Sequence, residues 1–170
     1  TGAMILNAET AIGTNESAGE LHDRLMQLGS ETVTQTLALL ENGKVTTTIQ
    51  EDNAEIKTAY KLNKENCKID WHQPASEIHN LIRGLSPYPA AWCFISDKGE
   101  EWNVKIYQSK IVIEAHTLAV GQLVCTKKEL KIAVRDGFIQ IESLQFPGKK
   151  KMNTAEFLNG IQFTADAKAY

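Results

Sequence analysis

The chain has 170 residues, of which 42% are hydrophobic and 23% are charged, and its formal net charge is −3 at pH 7. This composition is typical of one globular domain or two small ones, and it excludes disordered and collagen-like chains. The apolar runs are only a few residues long, which is too short to cross a bilayer, so we expect no membrane segment.

The cysteines and histidines exclude further classes of protein. The chain has an odd number of cysteines, Cys67, Cys93 and Cys125. They are far apart in the sequence and form no CxxC pair. This pattern favours reduced thiols in a cytoplasmic protein over a disulfide framework, and no signal-peptide pattern opens the sequence. The four histidines lack the spacing of metal ligands, so we expect no metal site.

Charge is distributed unevenly along the chain. Residues 1–56 contain two lysines and arginines against nine acidic residues, whereas residues 57–170 contain sixteen against twelve. An acidic first part and a mildly basic second part fit a phosphate-binding surface confined to the second part. The counts alone favour ordinary surface charge, so the choice between the two depends on individual lysines.

A strand and a long helix are the first predicted elements. Residues 4–12 are short and apolar-leaning and end at Gly13, which predicts a strand. Ser17 and Glu20 have the spacing of a capping box, apolar residues follow at near-helical spacing as far as Leu40, and Asn42-Gly43 supplies a stop. Because a strand and one amphipathic helix cannot bury a core alone, we expect the incomplete end of a larger α/β domain.

The second part of the chain changes its periodicity. Residues 44–66 are polar and predict a linker, and the segment from Pro74 to Gly84 predicts a helix. Six strands are then predicted, at Ala91–Ile95, Trp102–Tyr107, Lys110–Glu114, Gln122–Thr126, Leu130–Val134 and Phe138–Leu144.

Turn and cap signals complete the prediction for residues 67–170. Asp97-Lys98-Gly99 and Asp136-Gly137 predict hairpin turns, and Asn153 or Thr154 predicts the cap of a last helix. Short strands with turns every eight to twelve residues indicate a small barrel or sandwich.

The segment from Ile82 to Trp92 forms a proline-rich corner between a helix and a strand. Pro87 and Pro89 fix two φ angles and remove two backbone donors, so the corner has a mainly structural role. Arg83 lies in the predicted last helical turn, where it can pair with a carboxylate, favour the helix dipole or contact a phosphate. Its position alone favours the structural roles.

Pro147-Gly148-Lys149-Lys150-Lys151 places three adjacent ammonium groups on a tight loop. Like charges repel, so such a cluster is typical of a site where an anion compensates it, although a solvated turn fits equally well. Lys127, Lys128, Lys131 and Arg135 are neighbouring candidates around one predicted hairpin.

These two motifs, together with Lys61-Leu62-Asn63-Lys64-Glu65 and Ile69-Asp70-Trp71, resemble the C-terminal part of the methionyl-tRNA formyltransferase family. The resemblance implies a mixed α and β fold. Residues 1–43 would be an incomplete strand–helix remnant of a Rossmann-like α/β catalytic domain, residues 44–66 a linker, and residues 67–170 an OB-like β-barrel with flanking helices that binds tRNA.

The resemblance also implies an activity and its site. Such enzymes transfer a formyl group from 10-formyltetrahydrofolate to the α-amino group of methionine on initiator methionyl-tRNA, and we expect a cytoplasmic monomer. No catalytic residue is expected in this chain, because the family's catalytic block has no counterpart after Thr1. The expected RNA-binding residues are Lys149, Lys150, Lys151, Arg83, Lys61 and Lys64.

Two other classes remain open. A sugar-nucleotide formyltransferase or a formyltetrahydrofolate dehydrogenase would share the proline corner, but it would have no acceptor stem to hold with a lysine loop. A stand-alone oligonucleotide-binding barrel would leave the leucine stripe of residues 21–40 without a covering element, which counts against it.

Overall fold

A computed structural model of the protein describes residues 2–50 and 57–170. The chain divides into two compact units, residues 1–61 and residues 62–170. The predicted linker, residues 44–66, lies partly outside the described residues, and the predicted domain boundaries stay predictions.

The first unit is built on one long helix, α1 (Ala18–Glu41). The predicted capping box is present: Glu20 N donates to Ser17 Oγ (3.3 Å), and Ser17 N donates to the Glu20 carboxylate (2.9 Å). The helix ends at Asn42, and Gly43 follows with φ +62°. None of the helix residues is buried, and the large apolar side chains of Leu25, Val33, Leu37 and Leu40 are exposed among the described residues of this unit.

The predicted strand over residues 4–12 is wrong. Only Met4 forms a bridge, an antiparallel one with Thr48 in which each N–H donates to the other's carbonyl oxygen at 2.8 Å. A strand needs a neighbour that completes its ladder of hydrogen bonds. Within the described part of this unit, Thr48 alone supplies such a bridge. The apolar composition of residues 4–12 is therefore not enough to make them a strand.

The second unit is an antiparallel sheet with helices against it. Its helices are a short 3₁₀ helix (Glu65–Cys67), α2 (Ala75–Gly84) and α3 (Thr154–Leu158). Its strands are β1 (Ala91–Asp97), β2 (Glu100–Val112), β3 (Leu123–Cys125), β4 (Leu130–Val134), β5 (Gly137–Gln145), β6 (Met152–Asn153) and β7 (Lys168–Ala169). The strand order is β3-β4-β5-β2-β1-β7, with β6 paired to β5.

The two ends of this sheet meet and make it barrel-like. Gln122 forms an antiparallel bridge with Lys168, Ala169 N donates to Gly121 O (2.8 Å), and Leu123 N donates to Ala167 O (3.0 Å). The predicted barrel is therefore confirmed. The two-residue strands β6 and β7 are missed from sequence because they are too short to show alternation.

The two strands predicted at Trp102–Tyr107 and Lys110–Glu114 are a single strand, β2. Its pairing with β5 shifts register on either side of Gln108. Such an irregularity changes which side chains point inward without ending the ladder. Val104 and Ile106 are buried before it and Ser109 after it, so the alternation appears broken in the sequence.

A buried histidine joins α2 to the sheet. The Nδ1 atom of His79 lies 3.1 Å from Oγ of Ser109. The Nε2 atom of His79 is buried without a hydrogen-bond partner in the described residues. Burial lowers the pKa of His79, and the positive charge of Arg83 lowers it further, while Glu142 opposes both effects. The neutral imidazole is thus the form that fits this site.

Because the unfolded pKa of histidine is near 6.5, the unfolded chain binds a proton below that pH that the folded chain does not. The stability provided by neutral His79 is complete above about pH 6.5 and decreases as the pH falls. We expect His79→Gln to lower the free energy of unfolding at pH 7.5 but to flatten its decline toward pH 5.5, measured by urea denaturation. If the free energy of unfolding falls equally between pH 7.5 and 5.5 in the unchanged protein and in His79→Gln, this assignment is contradicted. The range from pH 7.5 to 8.5, where His79 is neutral in both the folded and the unfolded chain, serves as the internal control.

Candidate nucleic-acid interface

A row of three side chains crosses one face of the barrel. Trp92 on β1 pairs with Lys105 on β2, and Lys105 pairs with Gln145 on β5. Their neighbours along each strand, such as Cys93 and Ile106, are buried in the core. Since side chains alternate along a strand, the row lies on the outer surface, with Lys105 exposed at its centre.

Two further lysines lie at the Trp92 end of this row. Trp92 Nε1 donates to Lys64 O (2.7 Å), and Lys64 Nζ lies 5.3 Å from the indole centroid. Lys68 Nζ lies 5.7 Å from Trp92, 5.3 Å from Phe94 and 5.8 Å from Tyr170, measured to the ring centroids. Cation–π attraction therefore holds both ammonium groups close to aromatic rings.

The lysine loop is attached at the Gln145 end of the row. Gln145 Nε2 donates to Lys149 O (2.9 Å), and Tyr107 Oη donates to Gln145 Oε1 (2.8 Å). Lys151 Nζ lies 4.7 Å from the Tyr107 centroid. Gly148, with φ +71°, permits the turn that brings Lys149 N to Phe146 O (3.1 Å). The loop is thus fixed to the same face as Trp92 and Lys105.

We call this surface the lysine–aromatic face, and it consists of Lys64, Lys68, Trp92, Lys105, Tyr107, Gln145, Lys149, Lys150 and Lys151. Its ammonium groups suit the phosphates of a nucleic acid, and its ring faces suit bases. Among residues 2–50 and 57–170, no group of three or more His, Cys, Asp or Glu side chains is placed to hold a metal ion. No helix in these residues is long and apolar enough to span a membrane.

The sequence-predicted residues do not all lie on this face. Lys64 does, and the lysine loop is attached there, with the Lys151 ammonium over Tyr107 and the Lys149 ammonium 5.9 Å from the centroid of Phe157 on α3. Arg83 lies in the last turn of α2, where its Nε donates to Asn80 Oδ1 (2.8 Å), so its own helix holds part of the guanidinium. Lys61 is the last residue of the first unit. Contact of any of these six residues with RNA stays a prediction.

The neighbouring candidates are also separated. Lys127 and Lys128 lie in the turn between β3 and β4, whereas Arg135 lies in the turn between β4 and β5. Lys131 is on β4, with Nζ 5.9 Å from the Phe138 centroid. They belong to two turns and a strand rather than to one hairpin, because the two turns lie at opposite ends of β4.

Sequence reasoning missed Lys68, Lys105 and Tyr107, and it gave Trp92 only a structural role. The sequence does contain a signal that could have found them, because Trp92 and Phe94 lie two positions apart on one predicted strand and Lys105 and Tyr107 do so on the next. Only the strand register shows that these two pairs share a surface.

Comparison with known families bears on the second unit. The family described as formyl transferase, C-terminal domain, matches residues 61–162, more than half of the chain. The chain belongs to this family. The match includes the whole proline corner and the lysine loop, and it covers most of the barrel.

Relatives of this formyl transferase C-terminal domain extend over the first unit as well. A methionyl-tRNA formyltransferase of Flavobacterium johnsoniae is 65% identical over 170 residues, which is 100% of this chain and 54% of that protein. Proteins of the same name from Flavobacterium psychrophilum and Bacteroides thetaiotaomicron are 53% and 42% identical, over 100% and 96% of this chain and 54% and 52% of theirs. The chain spans about half the length of these curated relatives.

Solved structures of two other proteins share the fold of this member of the formyl transferase C-terminal domain family. HypX from Aquifex aeolicus superposes with a TM-score of 0.62 at 20% identity, over 91% of this chain and 28% of that one. The sugar 3N-formyl transferase WlaRD superposes with a TM-score of 0.56 at 21% identity, over 88% of this chain and 51% of that one.

Proposed function

We propose that this chain is the C-terminal part of a methionyl-tRNA formyltransferase and that it binds the acceptor arm of initiator methionyl-tRNA. The whole enzyme would transfer a formyl group from 10-formyltetrahydrofolate to the α-amino group of the methionine, in the cytoplasm. The names of relatives that are 65%, 53% and 42% identical across the chain support the activity.

The lysine–aromatic face is the observation that carries the RNA-binding part of the proposal. Lys64 beside Trp92, Lys105 at the centre of the row and Lys151 beside Tyr107 support a line of positive charge along one side of the barrel. Helical RNA has a narrow, deep major groove, so phosphate and shape contacts are the main means of holding it. Neutralising phosphates releases counterions, so binding should weaken steeply with salt.

The face does not fit the formyl donor or the transfer step. Formyl transfer to an amine needs a group that accepts the amine's proton. The cleft beside Trp92 is lined by apolar, aromatic, lysine and asparagine side chains and has no carboxylate or histidine, whereas the cavity beside Lys68 includes Glu65, Asp70 and His72. Because the curated relatives are about twice as long as this chain, we assign folate binding and catalysis to the part of them that it does not cover. The exposed apolar stripe of α1 supports a further domain packed against that helix.

The activity is tested with the full-length protein that carries this chain. We expect it to formylate methionyl-initiator tRNA in the presence of 10-formyltetrahydrofolate and to leave a sugar-nucleotide amine unmodified. Formylation of the sugar nucleotide but not of methionyl-tRNA would overturn the proposal in favour of a sugar-nucleotide formyltransferase.

A further inference from the structure

A cleft of about 490 Å³ opens at the Trp92 end of the lysine–aromatic face. Three parts of the second unit line it, namely residues 62–64 with Cys67, residues 88–90 with Trp92 in the proline corner and β1, and Asn103 with Lys105 on β2. This volume is within the range of small-ligand sites in proteins, ~300–1,000 Å³. The cleft is therefore large enough for a compact organic group.

One wall of the cleft is an aromatic ring that the fold keeps exposed. Tyr88 is 85% exposed. It stands between Pro87 and Pro89, and the corner is closed by a hydrogen bond from Ala90 N to Leu85 O (2.9 Å). Proline fixes its own φ and restricts the residue before it, so the two prolines limit the backbone on either side of Tyr88. The exposed ring at the cleft offers a flat face on which a base can stack.

The lining of the cleft also includes a second ring, Trp92, and positive charge. Lys64 Nζ lies 5.3 Å from the Trp92 centroid, and Lys105 is the cross-strand partner of Trp92. A cationic ligand does not suit this site, because Lys64 and Lys68 already lie against the indole. The complementary group is planar and carries negative charge.

We propose that this cleft takes one unpaired nucleotide of the bound RNA, with its base against the exposed ring of Tyr88 and its phosphate at Lys64 and Lys105. The proposal rests on the proposed RNA binding and adds a site to it. Paired bases are covered by their neighbours in the helix, so only a single-stranded or unstacked nucleotide can offer its ring face. The lysine loop would hold the helical part, and the cleft would hold the unpaired part.

The test compares two RNA probes on the full-length protein that carries this chain, at one salt concentration. One probe is a short single-stranded oligoribonucleotide, and the other is a fully paired duplex with the same number of phosphates. Tyr88→Ala should weaken binding of the single strand about tenfold, as expected for losing one base stack, and change duplex binding by less than about twofold. Tyr88→Phe should restore the single-strand affinity, since the ring remains.

Tyr60→Ala is the matched control, because Tyr60 is 80% exposed but lies in the first unit. Tyr88→Ala that weakens neither probe, or both equally, would overturn the cleft proposal while leaving RNA binding intact. If the unchanged protein binds neither probe, the proposed RNA binding fails instead.

Discussion

Replacing Lys149, Lys150 and Lys151 together with alanine should raise the Michaelis constant for methionyl-tRNA at least about tenfold and leave kcat nearly unchanged. One charge-assisted hydrogen bond contributes about 1.5 kcal/mol, which is roughly a factor of ten in affinity. The magnitude of the slope of log affinity against log salt should decrease by ~2–3, since three phosphate contacts are lost. Steady-state kinetics of the full-length protein at several salt concentrations measures both effects.

A charge-matched variant separates the loop from general electrostatics. Lys98→Ala, Lys127→Ala and Lys128→Ala together remove three positive charges from turns of the same unit. This control should change the Michaelis constant far less than the loop variant does. Equal effects of the two triple variants would mean that net charge, rather than the position of the loop, controls tRNA binding.

Replacing Gly121 with alanine should lower the free energy of unfolding by at least about 3 kcal/mol. Its φ is +84°, where a side chain costs about 1–2 kcal/mol. A Cβ at this position would also lie far inside van der Waals contact of the Ala169 carbonyl oxygen, at the point where β7 closes the barrel. Relief of that clash requires movement of backbone that is hydrogen-bonded on both sides. Denaturant unfolding measures the loss.

Gly99→Ala is the matched control for this prediction. Gly99 has almost the same φ, +83°, but a Cβ there meets nothing within 4 Å. It should therefore cost only the ~1–2 kcal/mol of the backbone conformation. If the two variants lose equal stability, the contact between residue 121 and β7 does not limit closure of the barrel.

Local chemistry made much of the fold predictable. The capping box at Ser17 and Glu20, the two hairpin turns and the Asn153 cap depend on interactions within four residues, and each is present in the structure. Closure of the barrel could not be predicted from the sequence, because it joins Gly121 to Ala169 across 48 positions through backbone hydrogen bonds. The predicted strand at residues 4–12 failed for the same reason, since a strand depends on its partner.

The candidate site also has one part that the sequence predicts and another part that only the structure shows. A run of three lysines after Pro147-Gly148 is visible in the sequence. The position of Lys105 between Trp92 and Gln145 depends on strand register, which single-sequence patterns do not specify at this distance. Arg83 was selected for its place in a motif, and the structure shows that Asn80 accepts a hydrogen bond from its Nε.

Lysine footprinting of the full-length protein tests most directly whether the lysine–aromatic face contacts tRNA. Acylation of the ammonium groups with and without initiator methionyl-tRNA, followed by peptide mass spectrometry, reports the protection of each lysine. We predict strong protection of Lys64, Lys105 and the three loop lysines, and unchanged reactivity of Lys127 and Lys128. Protection of Lys127 and Lys128 without protection of the lysine–aromatic face would place the RNA on another side of the barrel and contradict the account.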